Sequence, residues 1–66
     1  MSLNEDEAAI LDALCMGLRK REIVSALRLT SNLYDARMEC AREKSDSATN
    51  FELVSKYTVW KITQGR

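Results

Sequence analysis

Residues 17–30 constrain the fold more than any other segment, because they combine a helix stop, a short helix and a second helix start. Gly17 suits the positive φ that ends a helix at low cost, and a basic and apolar segment follows it. Thr30 and Ser31 can each cap the next helix, directly after a break at Arg28-Leu29. This order of elements is typical of a helix-turn-helix motif.

The first helix is predicted from a capping-box pattern at Asn4 and Glu7 and from the apolar spacing that follows it. We expect this helix over about residues 5–16, with Cys15 packed as a small hydrophobe. Cys15 and Cys40 are too few for a zinc site in a chain without His, and a disulfide between them is not expected. The sequence therefore predicts neither metal nor cofactor.

The motif itself is predicted at about residues 20–44. The second helix should begin at Arg19 or Lys20 and stop near Leu27, with Ile23, Ala26 and Leu27 facing inward. The third helix should span about residues 31–44 and bury a thin apolar stripe, which consists of Tyr34, Met38 and Ala41. Together with the flanking helices, these elements predict one all-α domain over residues 1–66.

A last helix is predicted over about residues 50–60, after a second capping-box pattern at Thr49 and Glu52. The strand-forming residues from Tyr57 onward favour a frayed end near Trp60. The apolar side chains of this segment exceed what one small core needs. Some of them should complete the thin core, and others should form a self-association patch; the candidates are Phe51, Val54, Tyr57, Val59, Trp60 and Ile62.

The net charge of zero gives no indication of nucleic-acid binding, but the charges are unevenly distributed. Residues 1–14 carry four acidic and no basic side chains, whereas residues 18–44 carry seven basic and four acidic ones. This distribution could orient the molecule at a phosphate backbone, or it could be an ordinary solvated surface. No nucleophile–base pair, metal cluster or Gly-rich phosphate loop is visible, so an enzyme is not expected.

The chain resembles the LuxR/GerE-type DNA-binding domain, a four-helix module of bacterial regulators, over about residues 3–54. The residues that carry the resemblance are Leu3-Asn4-Glu5-Asp6-Glu7, Gly17-Leu18, Arg21-Glu22-Ile23-Val24, Leu27-Arg28-Leu29-Thr30 and Glu52-Leu53-Val54. The resemblance implies a cytoplasmic, nucleoid-associated regulator of transcription that binds double-stranded DNA. It also implies a homodimer formed through the last helix, at Phe51, Val54, Tyr57 and Trp60.

The chain departs from that family at the start of the third helix, where Leu33-Tyr34-Asp35 replaces the usual Thr-Val-Lys. On a helical wheel, the outward face of this helix carries Asn32, Asp35, Ala36, Glu39, Arg42 and Glu43. Three acids oppose contact with phosphates, although a carboxylate can accept from cytosine, Asn can bind adenine and Arg can bind guanine. The candidate DNA-binding residues are Lys20, Arg21, Arg28, Thr30, Ser31, Asn32, Asp35 and Arg42.

Two alternatives to DNA binding remain at the level of the sequence. In the first, the acidic face of Asp35, Glu39 and Glu43 binds a basic protein partner, and the domain modulates another regulator. In the second, the late aromatic segment mediates assembly of a small helical subunit, and the helix-turn-helix is only a scaffold. No apolar segment is long enough to span a membrane, so no membrane partner is expected.

Overall fold

A computed structural model describes residues 2–64, which form four α-helices and no strand within that range. The helices are α1 (Glu5–Cys15), α2 (Lys20–Ala26), α3 (Ser31–Ser45) and α4 (Asn50–Gln64). Helix α1 contacts the other three helices, and α3 also contacts α2 and α4. The predicted all-α architecture with four helices is confirmed.

The core lies where α1, α3 and α4 meet, and α2 covers one end of it. Its buried apolar members are Ile10, Leu11, Ala13, Ile23, Tyr34, Met38, Ala41, Leu53 and Tyr57. The predicted inward stripe of α3 is confirmed, because Tyr34, Met38 and Ala41 are all buried. Burying Ala41 lets α3 approach its neighbours closely but removes little apolar surface from water, which explains the need for large side chains from α4.

The predicted helix starts are confirmed by their capping hydrogen bonds. The Asn4 side chain accepts from the Glu7 backbone N–H at 2.9 Å, and the Glu7 carboxylate accepts from the Asn4 N–H at 3.0 Å. Thr30 Oγ1 accepts from the Leu33 N–H at 3.0 Å, which identifies Thr30 as the cap of α3. At α4 the Glu52 carboxylate accepts from Ala48, one residue before the expected position.

The first three helices end in the same backbone motif. In each, a residue two or three positions beyond the helix donates its N–H to a carbonyl of the last turn, in the pairs Leu18 to Ala13, Leu29 to Val24 and Ser47 to Arg42. The residue before each donor has positive φ: Gly17 at 88°, Arg28 at 55° and Asp46 at 55°. Only Gly17 was predicted, because an Arg in this conformation costs about 1–2 kcal/mol and carries no sequence signal.

The predicted inward faces of α1 and α2 are wrong at three residues. Cys15 is exposed, with its Sγ 3.4 Å from Thr58 Oγ1. Ala26 is exposed and Leu27 is 37% exposed, because α2 has only seven residues and ends before a second inward turn forms. Ile23 is therefore the fully buried anchor of α2, and the half-buried Val24 and Leu29 pack beside it.

The predicted end of the last helix near Trp60 is also wrong, since α4 continues to Gln64. Asp12 on α1 explains the extension, because it binds two α4 residues. Its carboxylate accepts from the Tyr57 hydroxyl at 2.6 Å and lies 3.2 Å from Lys61 Nζ. Contacts between helices thus outweigh the strand propensity of residues 57–63.

Candidate nucleic-acid interface

The turn between α2 and α3 determines where the start of α3 lies. Arg28 adopts positive φ, and the chain reverses between Leu27 and Thr30 without a glycine. Leu29 is half-buried below the turn, so the turn is fixed to the core. The first N–H groups of α3, at Ser31 and Asn32, have no acceptor within the helix, and both residues are exposed. This end of α3 can therefore donate hydrogen bonds to an anion.

Lys20 is held at the same end of the molecule by two contacts with α3. Its Nζ lies 2.8 Å from Asp35 Oδ1 and 5.4 Å from the centroid of the Tyr34 ring. Tyr34 is buried, and its position is therefore fixed by the core. The ammonium group is attracted both by the carboxylate and by the face of the ring. Lys20 and Asp35, two sequence-predicted site residues, are thus brought together as an ion pair.

Arg21 and Arg28 are exposed near this ion pair, on α2 and in the turn. Within residues 2–64 neither side chain forms an ion pair, so no carboxylate compensates either guanidinium group. Glu22, which follows Arg21, uses its carboxylate to accept from the Arg19 backbone N–H at 2.9 Å. The α2–α3 end therefore offers two unpaired cations and the amide groups that begin α3.

The outward face further along α3 is acidic. Glu39 and Glu43 are exposed and form no ion pair within residues 2–64. Arg42 is half-buried, and its guanidinium donates to the side chain of Asn50 at the start of α4. Arg42 is therefore directed toward α4 and separated from the other predicted DNA-binding residues. On the outward face of α3, the Asp35 carboxylate is compensated by Lys20, whereas the Glu39 and Glu43 carboxylates have no ion-pair partner within residues 2–64.

An ion pair between a buried carboxylate of α1 and an exposed lysine of α3 fixes the two helices together. The Glu7 side chain is 1% exposed, and its Oε1 lies 2.8 Å from Lys44 Nζ. Burial raises the pKa of the Glu7 carboxyl, but the hydrogen bonds from Lys44 and Asn4 and the charges of Lys44 and Arg37 outweigh it. The pKa of Glu7 therefore lies below its ordinary value of 4.5. The sequence identified Glu7 only as a cap and missed this second role.

The α4 residues predicted to mediate dimerisation do not form one surface. Tyr57 is buried in the core, so the dimer surface that the resemblance implies is wrong at this residue. Val54 and Trp60 are half-buried against the core, with the Trp60 ring centroid 5.7 Å from that of Tyr57. Phe51 is 84% exposed, and Val59 and Ile62 are also exposed. The small Ala41 side chain fills little of the core. The aromatic residues near the end of α4 therefore supply the apolar surface that the core needs.

An uncharged stripe runs along the solvent side of α4. Its residues are Phe51, Ser55, Thr58 and Ile62, all of them exposed. Their spacing of four, three and four residues places them on one helical face, as in the seam of a two-stranded coiled coil. The signal for this stripe in the sequence is the helical spacing of Phe51 and Ile62, which were both among the predicted apolar candidates.

A hydrogen bond between Asp12 and Tyr57 stabilises the junction of α1 with α4. The Tyr57 hydroxyl donates to the Asp12 carboxylate. The hydrogen bond from Tyr57, followed by the contacts with Lys61, holds the pKa of Asp12 below its ordinary value of 3.8. Burial and the same carboxylate raise the pKa of the Tyr57 hydroxyl above 10.0. The hydroxyl is therefore a neutral donor at physiological pH, and this cluster serves packing.

Neither a metal-ligand cluster nor a membrane-crossing helix occurs in the part of the chain that the structure describes. No three His, Cys, Asp or Glu side chains there are grouped so that they could hold a metal ion. None of the helices there has the length and hydrophobicity that crossing a bilayer requires. Comparisons of the chain with protein-family models, curated proteins and solved structures found no significant match.

Proposed function

We propose that this protein is a non-catalytic, DNA-binding regulator of transcription whose α2–α3 unit is a helix-turn-helix. The observation that carries the proposal is the exposed start of α3, flanked by the unpaired cations of Arg21 and Arg28. The resemblance to LuxR/GerE-type domains supports it. In this arrangement α2 braces the motif, and the N-terminal half of α3 enters the major groove.

Affinity would come from the phosphate backbone. Arg21 and Arg28 contact phosphates on either side of the groove, and the N–H groups of Ser31 and Asn32 bind a phosphate at the helix start. The Thr30 hydroxyl already caps α3, so its role is to keep this end of the helix ordered. Glu39 and Glu43 repel phosphates, which limits the approach of the C-terminal half of α3.

The proposed active form is a homodimer that pairs the uncharged stripe of α4 with its copy. An antiparallel pairing sets Phe51 of one subunit near Ile62 of the other, with the smaller Ser55 and Thr58 at the crossing. The stripe carries no charge that would have to be desolvated, which supports a second copy as its occupant. Two motifs related by a two-fold axis would then recognise a palindromic site.

Fluorescence anisotropy of a labelled random-sequence duplex tests the proposed DNA binding. Affinity should fall steeply between about 50 and 200 mM salt, by about 40-fold if three phosphates are neutralised. Arg21→Gln should weaken binding, whereas Lys61→Gln, which removes a charge on α4 far from the motif, should not. No binding at low salt would refute the proposal.

Sedimentation equilibrium tests the proposed dimer. Phe51→Asp should convert a dimer to a folded monomer, because Phe51 is 84% exposed within the single chain. Leu33→Ser removes an exposed apolar group from α3 instead and should leave the dimer intact. A wild-type protein that stays monomeric at high concentration would contradict this part of the proposal.

A second candidate function is the binding of a basic protein partner at the acidic face of α3. It is favoured by the unpaired carboxylates of Glu39 and Glu43 and by the direction of Arg42 toward Asn50. In that function the domain modulates another regulator and does not bind DNA. Failure of duplex binding at low salt, combined with a partner interaction lost in Glu39→Gln, would select this candidate.

A further inference from the structure

The Lys20–Asp35 ion pair lies at the point where the proposed recognition helix would meet the bases. We propose that Asp35 determines sequence specificity, by accepting a hydrogen bond from the N4 amino group of a cytosine in the major groove. This inference rests on the proposed duplex binding and names the base that the motif would recognise.

The position of Asp35 on α3 supports this role. It lies in the second turn, three residues after Asn32, and both side chains are on the outward face. The N-terminal residues of a recognition helix are those that contact base edges. The Asp35 side chain is 61% exposed, so its carboxylate can approach a base without any rearrangement of the core.

The contact with Lys20 removes the main objection to an acid in this position. An isolated carboxylate near DNA is repelled by the phosphates, whereas a carboxylate paired with an ammonium group adds no net charge. Lys20 is itself positioned by the buried Tyr34 ring, so the pair is preorganised. The ion pair uses Oδ1, which leaves the lone pairs of Oδ2 for an amino donor.

The other two acids of the outward face lack this compensation. Glu39 and Glu43 lie one and two turns further along α3, and within residues 2–64 no cation pairs with either of them. Each would bring a full negative charge toward the DNA. Asp35 is therefore the acid on this face that is suited to contact a base.

Cytosine is the base whose major-groove edge fits a carboxylate. It presents the N4 amino donor, whereas adenine presents its amino donor beside the N7 acceptor, and guanine and thymine present acceptors. A carboxylate has no hydrogen to offer N7, so it is repelled by the acceptor of adenine. An amide in the same place can satisfy both adenine atoms. Asp35→Asn should therefore change the preferred base from cytosine to adenine.

Selection from a randomised duplex pool tests the inference with the wild type, Asp35→Asn and Glu39→Gln. The wild type should enrich sites with a fixed cytosine, and changing that C–G pair to T–A should weaken binding by about 5-fold or more. Asp35→Asn should enrich adenine at the same position. Glu39→Gln is the matched control, because it also converts an acid to an amide and should leave every base preference unaltered.

The outcomes separate this inference from the proposed function. Enriched sites whose base preferences are the same for the wild type and Asp35→Asn would overturn the role of Asp35 and leave DNA binding intact. A change of preference caused equally by Glu39→Gln would also overturn it. If the wild type enriches no duplex at low salt, both the inference and the proposed function are overturned.

Discussion

Two lysine–carboxylate pairs in this protein have the same N–O distance of 2.8 Å and similarly exposed lysines, 40% at Lys44 and 44% at Lys20, but their carboxylates lie in different environments. The Glu7 carboxylate is 1% exposed, whereas the Asp35 side chain is 61% exposed. The distance between the charged groups therefore does not show how much an ion pair contributes to folding. Water screens the exposed pair, so this pair contributes little to folding, while the buried carboxylate depends on its partners.

The same substitution in the two pairs should have different effects on folding. Lys44→Met should reduce the free energy of unfolding by about 2 kcal/mol, because it leaves the buried Glu7 carboxylate without its ammonium partner. Lys20→Met should change it by about 1 kcal/mol or less, since both partners are exposed. Urea unfolding followed by circular dichroism measures both values. Equal losses in the two variants would show that burial does not distinguish the pairs.

Acid should weaken the buried pair selectively. The folded-state pKa values of Glu7 and Asp12 are lowered, so their contributions to stability are complete above the ordinary values of 4.5 and 3.8. These contributions are lost as the pH falls below those values through the folded-state pKa. Thermal unfolding from pH 7 down to about pH 2 should therefore show a smaller acid-induced loss in Glu7→Gln than in the wild type.

The control for this pH series is Glu5→Gln, which changes an exposed carboxylate in the same first turn of α1. Its acid-induced loss of stability should match that of the wild type. A Glu7→Gln variant that loses as much stability on acidification as the wild type would mean that the Glu7 carboxylate is not the group that titrates.

The exposed pair should matter for binding more than for folding. Lys20→Met leaves the Asp35 carboxylate uncompensated, so duplex affinity should fall and the salt dependence should lose the equivalent of about one phosphate contact. Anisotropy titrations at several salt concentrations give this slope. A folded Lys20→Met variant with unchanged affinity and slope would refute a role for the pair in binding.

The smallest of these expected effects is the response of the two ion pairs to high salt. A double-mutant cycle on Lys20 and Asp35 should give a coupling of about 0.5 kcal/mol that disappears near 1 M salt. The corresponding cycle on Glu7 and Lys44 should retain most of its coupling, because a buried pair is screened less. Couplings that decline in parallel would indicate that solvent reaches both pairs equally.

The fold could be predicted from the sequence wherever the signal is local. The caps at Asn4 and Thr30 and the stop at Gly17 depend on residues within four positions, and each is present in the structure. The turn at Arg28-Leu29 was predicted, but the positive φ of Arg28 and of Asp46 was not. An Arg side chain does not favour positive φ, and an Asp side chain favours it only weakly. The packing of the flanking helices therefore imposes this conformation.

The candidate site could be predicted only in part, for a related reason. The sequence identified Lys20 and Asp35 separately, but not their contact, which joins residues 15 positions apart. It also identified the late apolar residues of α4 without assigning them to the core or to the solvent. The structure places Tyr57 in the core and leaves Phe51 exposed. Helical periodicity defines faces, but it does not say which face meets another helix.

The sequence by itself determined the all-α class, the short second helix with its turn, and the charge difference between the first helix and the middle of the chain. These properties follow from spacing, caps and composition, which act over one or two turns. Tertiary structure alone decided which carboxylate is buried, which lysine stands over Tyr34, and how far α4 continues. Those outcomes depend on how helices pack, because desolvation and pairing of charges arise only when distant segments meet.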